Sequence, residues 1–218
     1  MDLTTFTPSS ALLTVVLLSL APFVAVMVTS FTKIVVVFSL LRNALGVQQV
    51  PPNLVLNALA MILTIYVMYP VGNQTIAALS EVDTTVSSTD DLLQMANVAK
   101  EPIREFLVKH SNTLEQAFFY DTVQKMVEEV PENSTKPTDF VVLLPAFTIS
   151  ELSEAFQIGF LIYLPFIIID LVVSNILMAL GMMMLSPTLV SLPFKLLLFV
   201  MVDGWAKLSH GLVLSYLT

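Results

Sequence analysis

Asp170 is the residue best placed to do chemistry, because it is a charge inside an apolar run, Ile167-Ile168-Ile169-Asp170-Leu171-Val172-Val173. A charge at mid-bilayer costs roughly 2.5–3.5 kcal/mol on insertion scales, so it faces protein or water and finds a partner. On a helix of ~100° per residue, Asp170, Ser174 and Gly181 fall within about 40° of one another, a narrow polar and small-residue face. Two roles fit. One is proton relay or catalysis. The other, which the pairing tendency of intramembrane charges favours, is an ion pair between helices or subunits, with Lys195 as candidate partner. Asp170 and Asp203 together invite comparison with an aspartyl-protease dyad, where two close carboxylates share a proton. Their surroundings, Ile169-Asp170-Leu171 and Val202-Asp203-Gly204-Trp205, lack a Gly-x-Gly-Asp pattern and argue against it.

His110 and His210 are far apart and form no metal-spaced cluster. The sequence has no phosphate-cradling glycine loop, and without cysteine it has no disulfide, thiol catalysis or cysteine metal site. No enzyme, cofactor or metal is expected. The run Gly181-Met182-Met183-Met184 is unusual. Three consecutive methionines cannot share one helix face. Methionine fills irregular gaps, so core packing is one reading. A deformable apolar collar, closing a pore by dewetting and yielding to a passing chain, is the other. Asn73-Gln74-Thr75 and Asn133-Ser134-Thr135 fit a glycosylation pattern too short to carry weight.

The elements that position these residues are mostly apolar. Of 218 residues, 56% are hydrophobic and 12% charged, with a mean hydropathy of +0.85. Soluble domains carry about 25% charge. Lipid or neighbouring subunits must cover what charge does not. Between residues 72 and 139 stand 12 acidic against 5 basic residues, a balance of −7, within a net charge of −8. With no basic stripe to meet phosphates, nucleic acid is excluded as a partner.

Four apolar blocks are read from the chain. The first runs from Ala11 through Val28 and on to Leu41, with breaks expected at Pro22 and around Lys33. The second, Leu54 to Val71, is expected to end at Pro70 and Gly72. The third is Phe140 to Leu185, with a break expected at Pro165. The fourth, Leu189 to Leu217, follows a turn expected from Ser186-Pro187 to Pro193, with breaks at Pro193, Lys195 and Asp203-Gly204. A spanning helix needs about 20 apolar residues. The first basic residue is Lys33, so the first block is read as a retained segment, unlike a secretory signal. The acidic insert is predicted mostly helical. Thr89-Asp90-Asp91 is a start signal, Pro102 suits a first turn, and Asn112 with Glu115 has capping-box spacing. Ile103, Phe106, Leu107 and His110 share a face. Pro131 to Pro137 reads as a linker. Arg42 and Lys195, near short connectors, orient those connectors to the cytoplasm and the insert to the far side. The expected units are 1–71, an N-terminal hydrophobic hairpin; 72–139, the acidic insert; and 140–218, a C-terminal hydrophobic hairpin with the methionine loop.

Several stretches in order resemble one family: Thr29-Ser30-Phe31-Thr32-Lys33-Ile34-Val35-Val36-Val37, Leu40-Leu41-Arg42-Asn43-Ala44-Leu45-Gly46, Pro51-Pro52-Asn53, Leu144-Pro145-Ala146-Phe147, Ser150-Glu151-Leu152 and Ala155-Phe156-Gln157-Ile158-Gly159-Phe160. Ile169-Asp170-Leu171-Val172-Val173, Gly181-Met182-Met183-Met184, Leu192-Pro193-Phe194-Lys195 and Asp203-Gly204-Trp205 complete the set. The chain resembles the FliP/SctR family, the major export-gate subunit of type III secretion systems, over roughly 29–71 and 140–217. The missing signal peptide, His210-Gly211-Leu212-Val213 and Leu161-Ile162-Tyr163-Leu164-Pro165 look more like the virulence injectisome branch than the flagellar one.

The resemblance implies an all-α, membrane-associated fold of kinked hairpins. Copies would assemble, as a homopentamer, into a helical cone in the bacterial inner membrane, with the insert on the periplasmic side and much of the cone above the bilayer plane. It implies a non-enzymatic pore conducting unfolded substrates, driven by a separate ATPase and the proton gradient. Expected partners are FliQ/SctS-like and FliR/SctT-like smaller subunits, the FlhB/SctU-like switch subunit, the FlhA/SctV-like large gate, and lipid. Met182, Met183 and Met184 would form the pore gasket, with Gly181 and Pro187 as loop hinges. Asp170, Lys195, Arg42, Glu151 and Glu154 would make interhelical or intersubunit polar contacts. A small-solute or ion transporter and a non-conducting assembly scaffold are the alternatives.

Overall fold

A computed structural model describes residues 15, 19–20, 22–81, 89–126, 136–182 and 184–217, with the side chains of 89–93 left aside. Met183, most of the first block before Pro22, and the linker residues Pro131–Thr135 lie outside the described residues. The described chain is helical. A segment Pro22–Val28 leads into α1 (Phe31–Leu45), α2 (Asn53–Ser80), α3 (Thr89–His110), α4 (Thr113–Met126), α5 (Phe140–Ala179), α6 (Pro187–Met201) and α7 (Gly204–Leu214).

Helix α1 forms despite its β-branched Val35-Val36-Val37 because its buried face repeats at helical spacing: Ile34, Val37, Phe38, Leu41, Ala44 and Leu45. It ends at Gly46, whose φ of 75° is the left-handed conformation that glycine adopts at least cost. The bend before α1 is 82°. It falls at Thr29-Ser30, and Lys33 lies within the helix. The expected break at Lys33 is therefore misplaced by one turn. A charge does not stop a helix when it has partners, and Lys33 has two, the buried Glu151 and the half-open Glu154.

Helix α2 runs through Pro70 and Gly72 to Ser80, past the end expected from sequence. It buries only a thin stripe, Leu56, Ala60 and Thr64. Leu54, Ile62, Ile65, Tyr66 and Tyr69 remain exposed around it. Helix α5 has 40 residues and crosses both Pro145 and Pro165 without interruption. At 1.5 Å per residue it is about 60 Å long, roughly twice the hydrocarbon thickness of a bilayer. Helix α6 starts at Pro187, where a missing N–H costs nothing, and continues through Pro193 and Lys195. The expected turn from Ser186 to Pro193 is thus mostly helix, and Pro165 and Pro193 are not breaks. Each proline removes one backbone donor, and neighbouring packing in apolar helices tolerates that loss. The break at Asp203-Gly204 is present as a 58° bend between α6 and α7. Asp203 has φ 52°, a left-handed conformation that aspartate adopts more readily than most side chains.

The main crossing is α1 on α5. A Cβ on Gly159 would stand 2.2 Å from Leu40 Cδ1, so any larger residue forces the Leu40 side chain to shift. Three clusters form the core. Ile34, Val37, Phe38, Leu56, Ala60, Ala155 and Leu212 make the first. Leu41, Ala44, Leu45, Phe166 and Phe199 make the second. Phe106, Leu107, Leu143, Phe147 and Tyr216 make the third, which docks the insert onto α5. In the insert, Pro102 lies in the interior of α3, beyond the first turn it was expected to open. Asn112 Oδ1 accepts the Leu114 N–H at 2.9 Å and starts α4. The Asn112 N–H donates to Ser150 Oγ at 2.8 Å, tying the α3–α4 turn to α5.

Two helices, α2 and α5, are long and apolar enough to cross a membrane, or up to four spans if each bent pair counts as one. The chain is all-α and membrane-associated. Its apolar residues face outward on α2, α5 and α6 in numbers that a folded monomer in water rarely tolerates.

Candidate functional site

Lys33 is the centre of the first polar cluster. It lies one turn into α1, on the face that meets α5, and is buried. Its ammonium is 2.8 Å from Glu151 Oε1 and 2.6 Å from Glu154 Oε2, both on α5. It also lies 4.1 Å from the centre of the Tyr216 ring, a cation–π contact. The Tyr216 hydroxyl donates to Glu151 Oε2. Glu151 is 0% exposed, whereas the Glu154 side chain is half open. Tyr216 stacks on Phe106 and packs edge-on against His110, both from α3. One cluster thus joins α1, α5, the C-terminal residues and the insert. Burial, then Lys109 and Lys33, lower the His110 pKa to about 4, so the ring is neutral at physiological pH.

Lys195 is the centre of the second. Its ammonium is 2.6 Å from Asp170 Oδ2 and donates to the Ala44 carbonyl at 3.3 Å. That carbonyl lies at the end of α1, where helix carbonyls lack internal donors and the dipole favours a cation. Ser191 donates to Asp170 Oδ1 at 2.5 Å. The cluster joins α5, α6 and the end of α1. A third polar contact closes the α1–α2 connector: Arg42 donates to Asn53 Oδ1 and, at 3.4 Å, to Pro51 O.

The turn between α5 and α6 carries the methionines. Gly181 has φ 73°, its N–H bonds Met178 O at 3.0 Å, and the Met182 N–H bonds Leu177 O at 3.0 Å. This is a Schellman closure of α5, requiring a left-handed residue at Gly181. Gly181 therefore lies beyond the helix and does not extend the face shared by Asp170 and Ser174. Met182 is 48% exposed and Met184 fully so. Pro187 opens α6 at the other side of the turn.

The structure brings Asp170 to Lys195, and Glu151 and Glu154 to Lys33. It places Arg42 in the last turn of α1, where its guanidinium bonds Pro51 and Asn53 and meets neither cluster's carboxylates. Asp170 and Asp203 share no ion pair or hydrogen bond with each other among the described residues. Lys33, Ser191 and Tyr216 join the site from outside the expected set. Lys33 carries a signal, a lone cation in an apolar run like Asp170, but the same signal reads as a helix break. Ser191 and Tyr216 have no such signal. Lys195 is buried in an ion pair, so the charge argument for orientation rests on Arg42. No group of three or more His, Cys, Asp or Glu that could hold a metal occurs among the described residues.

Comparison with known proteins fits this arrangement. The chain matches the FliP family over residues 12–212. It is 52% identical over 200 residues to Yop proteins translocation protein R of Yersinia pestis, covering 92% of each chain. It is 51% identical over 208 residues to the Pathogenicity-related ORF2 of Xanthomonas campestris pv. glycines, covering 95% of this chain and 96% of that one. It is 50% identical over 210 residues to the Hypersensitivity response secretion protein HrcR of Ralstonia nicotianae, covering 95% and 97%. With a match across nearly its whole length and relatives named for translocation, pathogenicity and secretion, this chain belongs to the FliP family.

Proposed function

We propose that the chain is the pore-forming subunit of a type III secretion export gate, conducting unfolded proteins across the bacterial inner membrane. The observation that carries this reading is the α5–α6 hairpin. Its tip projects Met182 and Met184 into the open beyond a Schellman closure, while its sides expose Phe160, Leu161, Ile168, Leu171 and Val200. A tip of flexible apolar side chains on apolar legs suits a ring of copies that buries the legs and turns the methionines inward. Such a collar excludes water when narrow and reshapes around a chain when substrate enters.

In this reading the copies form a homopentamer. They join FliQ/SctS-like and FliR/SctT-like subunits and meet the FlhB/SctU-like switch and FlhA/SctV-like large gate. The acidic insert lies on the periplasmic side. Gly181 and Pro187 bound the gasket turn. Residues 1–71 and 140–218 supply the two hydrophobic hairpins, and 72–139 the insert. The relatives' names for translocation and secretion support the reading. No catalytic role is assigned to any residue, since Asp170 is committed to Lys195 and Ser191.

The test replaces Met182, Met183 and Met184 by alanine in cells assembling the complete gate. The expected result is ion leakage through assembled complexes. If the membrane stays as tight as with the unaltered chain and secretion is unchanged, the gasket reading fails.

A further inference from the structure

We propose that Ser191 is a positioning residue that sets the height of α6 against α5 and thereby the shape of the methionine-bearing turn. The inference rests on the gate reading above. Ser191 is fully buried and lies four residues after Pro187, in the second turn of α6. Its hydroxyl donates to Asp170 Oδ1 at 2.5 Å, with Thr188 O a longer alternative at 3.2 Å. One turn further on, Lys195 meets the other oxygen of the same carboxylate at 2.6 Å. A single carboxylate on α5 therefore grips two successive turns of α6.

The two grips differ in what they fix. An ammonium on a four-carbon stem follows its partner through a slide of the helix. A serine hydroxyl sits one bond from Cβ, so its contact with Asp170 exists only when the α6 backbone stands at this height. The groove between the legs cannot supply that register. It is lined by Ile169, Val172, Val173, Ile176, Val190 and Phe194 and presents no polar surface. Apolar contact is non-directional and tolerates sliding. The Schellman end fixes how the chain leaves α5, Pro187 fixes how it enters α6, and Ser191 fixes where α6 stands. A slipped leg would carry Met184 with it and open the ring that closure requires.

The experiment compares Ser191→Ala, Ser191→Thr and the triple methionine-to-alanine variant in cells carrying the complete gate. Ion leak is measured per assembled complex, with assembly quantified by native electrophoresis. Loss of a hydrogen bond to a charged group shifts a two-state population by about tenfold or more. Ser191→Ala is expected to raise the leak per complex about tenfold by that principle, while Ser191→Thr, which keeps the hydroxyl, stays within about twofold. If Ser191→Ala is tight while the methionine variant leaks, the positioning role is wrong and the gate reading stands. If the methionine variant is tight, both are wrong. Equal leakage from the alanine and threonine variants overturns the positioning role by showing that the hydroxyl is not what matters. Loss of assembled complex in both variants overturns it too, assigning Ser191 to folding alone.

Discussion

Lys33 and Lys195 each sit inside an apolar helix and each meet two oxygen acceptors, yet their carboxylates face different surroundings. Lys33 pairs with Glu151, 0% exposed, and also with Glu154, half open, whereas the one carboxylate beside Lys195, Asp170, is 35% exposed. The first pair is sealed by the Tyr216 ring and hydroxyl. The second leaves its carboxylate partly open within the α5–α6 hairpin, whose legs carry uncovered apolar surface. The difference teaches that equal chemistry serves unequal ends. A sealed pair that loses one member strands a buried charge, so it holds the subunit together. An open pair can relax against water or a neighbour, so it suits a hinge or an interface.

The comparison predicts that Lys33→Met is the most damaging single change. It strands Glu151 and is expected to cost about 3–5 kcal/mol, measured by denaturant unfolding in detergent. The double variant Lys33→Met with Glu151→Leu is expected to recover most of that loss, because an apolar pair replaces a buried ion pair at little cost. If the double variant is as unstable as the single, the cluster stabilises by something other than charge compensation.

Asp170→Asn is expected to cost less, about 2 kcal/mol, because asparagine keeps an oxygen towards Lys195, which also keeps the Ala44 carbonyl. A loss as large as that of Lys33→Met would erase the distinction between the clusters. Tyr216→Phe removes one hydrogen bond to a carboxylate while keeping the ring over Lys33. A loss of about 1.5 kcal/mol is expected, with insert and hairpins loosening together in hydrogen exchange.

The effect that is smallest at neutral pH, and grows only on acidification, concerns His110. His110 touches Tyr216 and its folded-state pKa is lowered to about 4 from 6.5, first by burial and then by Lys109 and Lys33. A base with a lowered folded pKa leaves the unfolded state binding more protons between those values, so stability falls as pH drops from about 6.5 towards 4. Below that window the histidine contributes no further slope. His110→Gln is expected to flatten this part of the acid-unfolding profile; an unchanged profile would remove His110 from the sealed cluster's energetics.

Much of the fold was legible. Long apolar blocks announced helices needing lipid or sister chains, and Asn112 announced the start of α4. Asp170 announced a partner, since an isolated charge in Ile167–Val173 is too costly to stand alone. The prolines misled. Pro70, Pro165 and Pro193 carry a local helix-breaking penalty, yet α2, α5 and α6 run on past them, because each removes a single backbone donor from a long run of intrahelical bonds. Lys33 misled for the converse reason. A lone cation reads as a boundary until Glu151 and Glu154, more than a hundred residues later, are seen beside it.

Composition and ordered local stretches suffice to mark the chain as helical, membrane-associated and of the FliP family, because both are properties of the chain before it folds. Folding in three dimensions sets which charges are sealed and which stay open. It alone brought Tyr216 under Lys33, Ser191 to Asp170 and Leu40 onto Gly159. Those pairings depend on crossings between distant helices, and neither hydropathy nor spacing encodes where two helices touch.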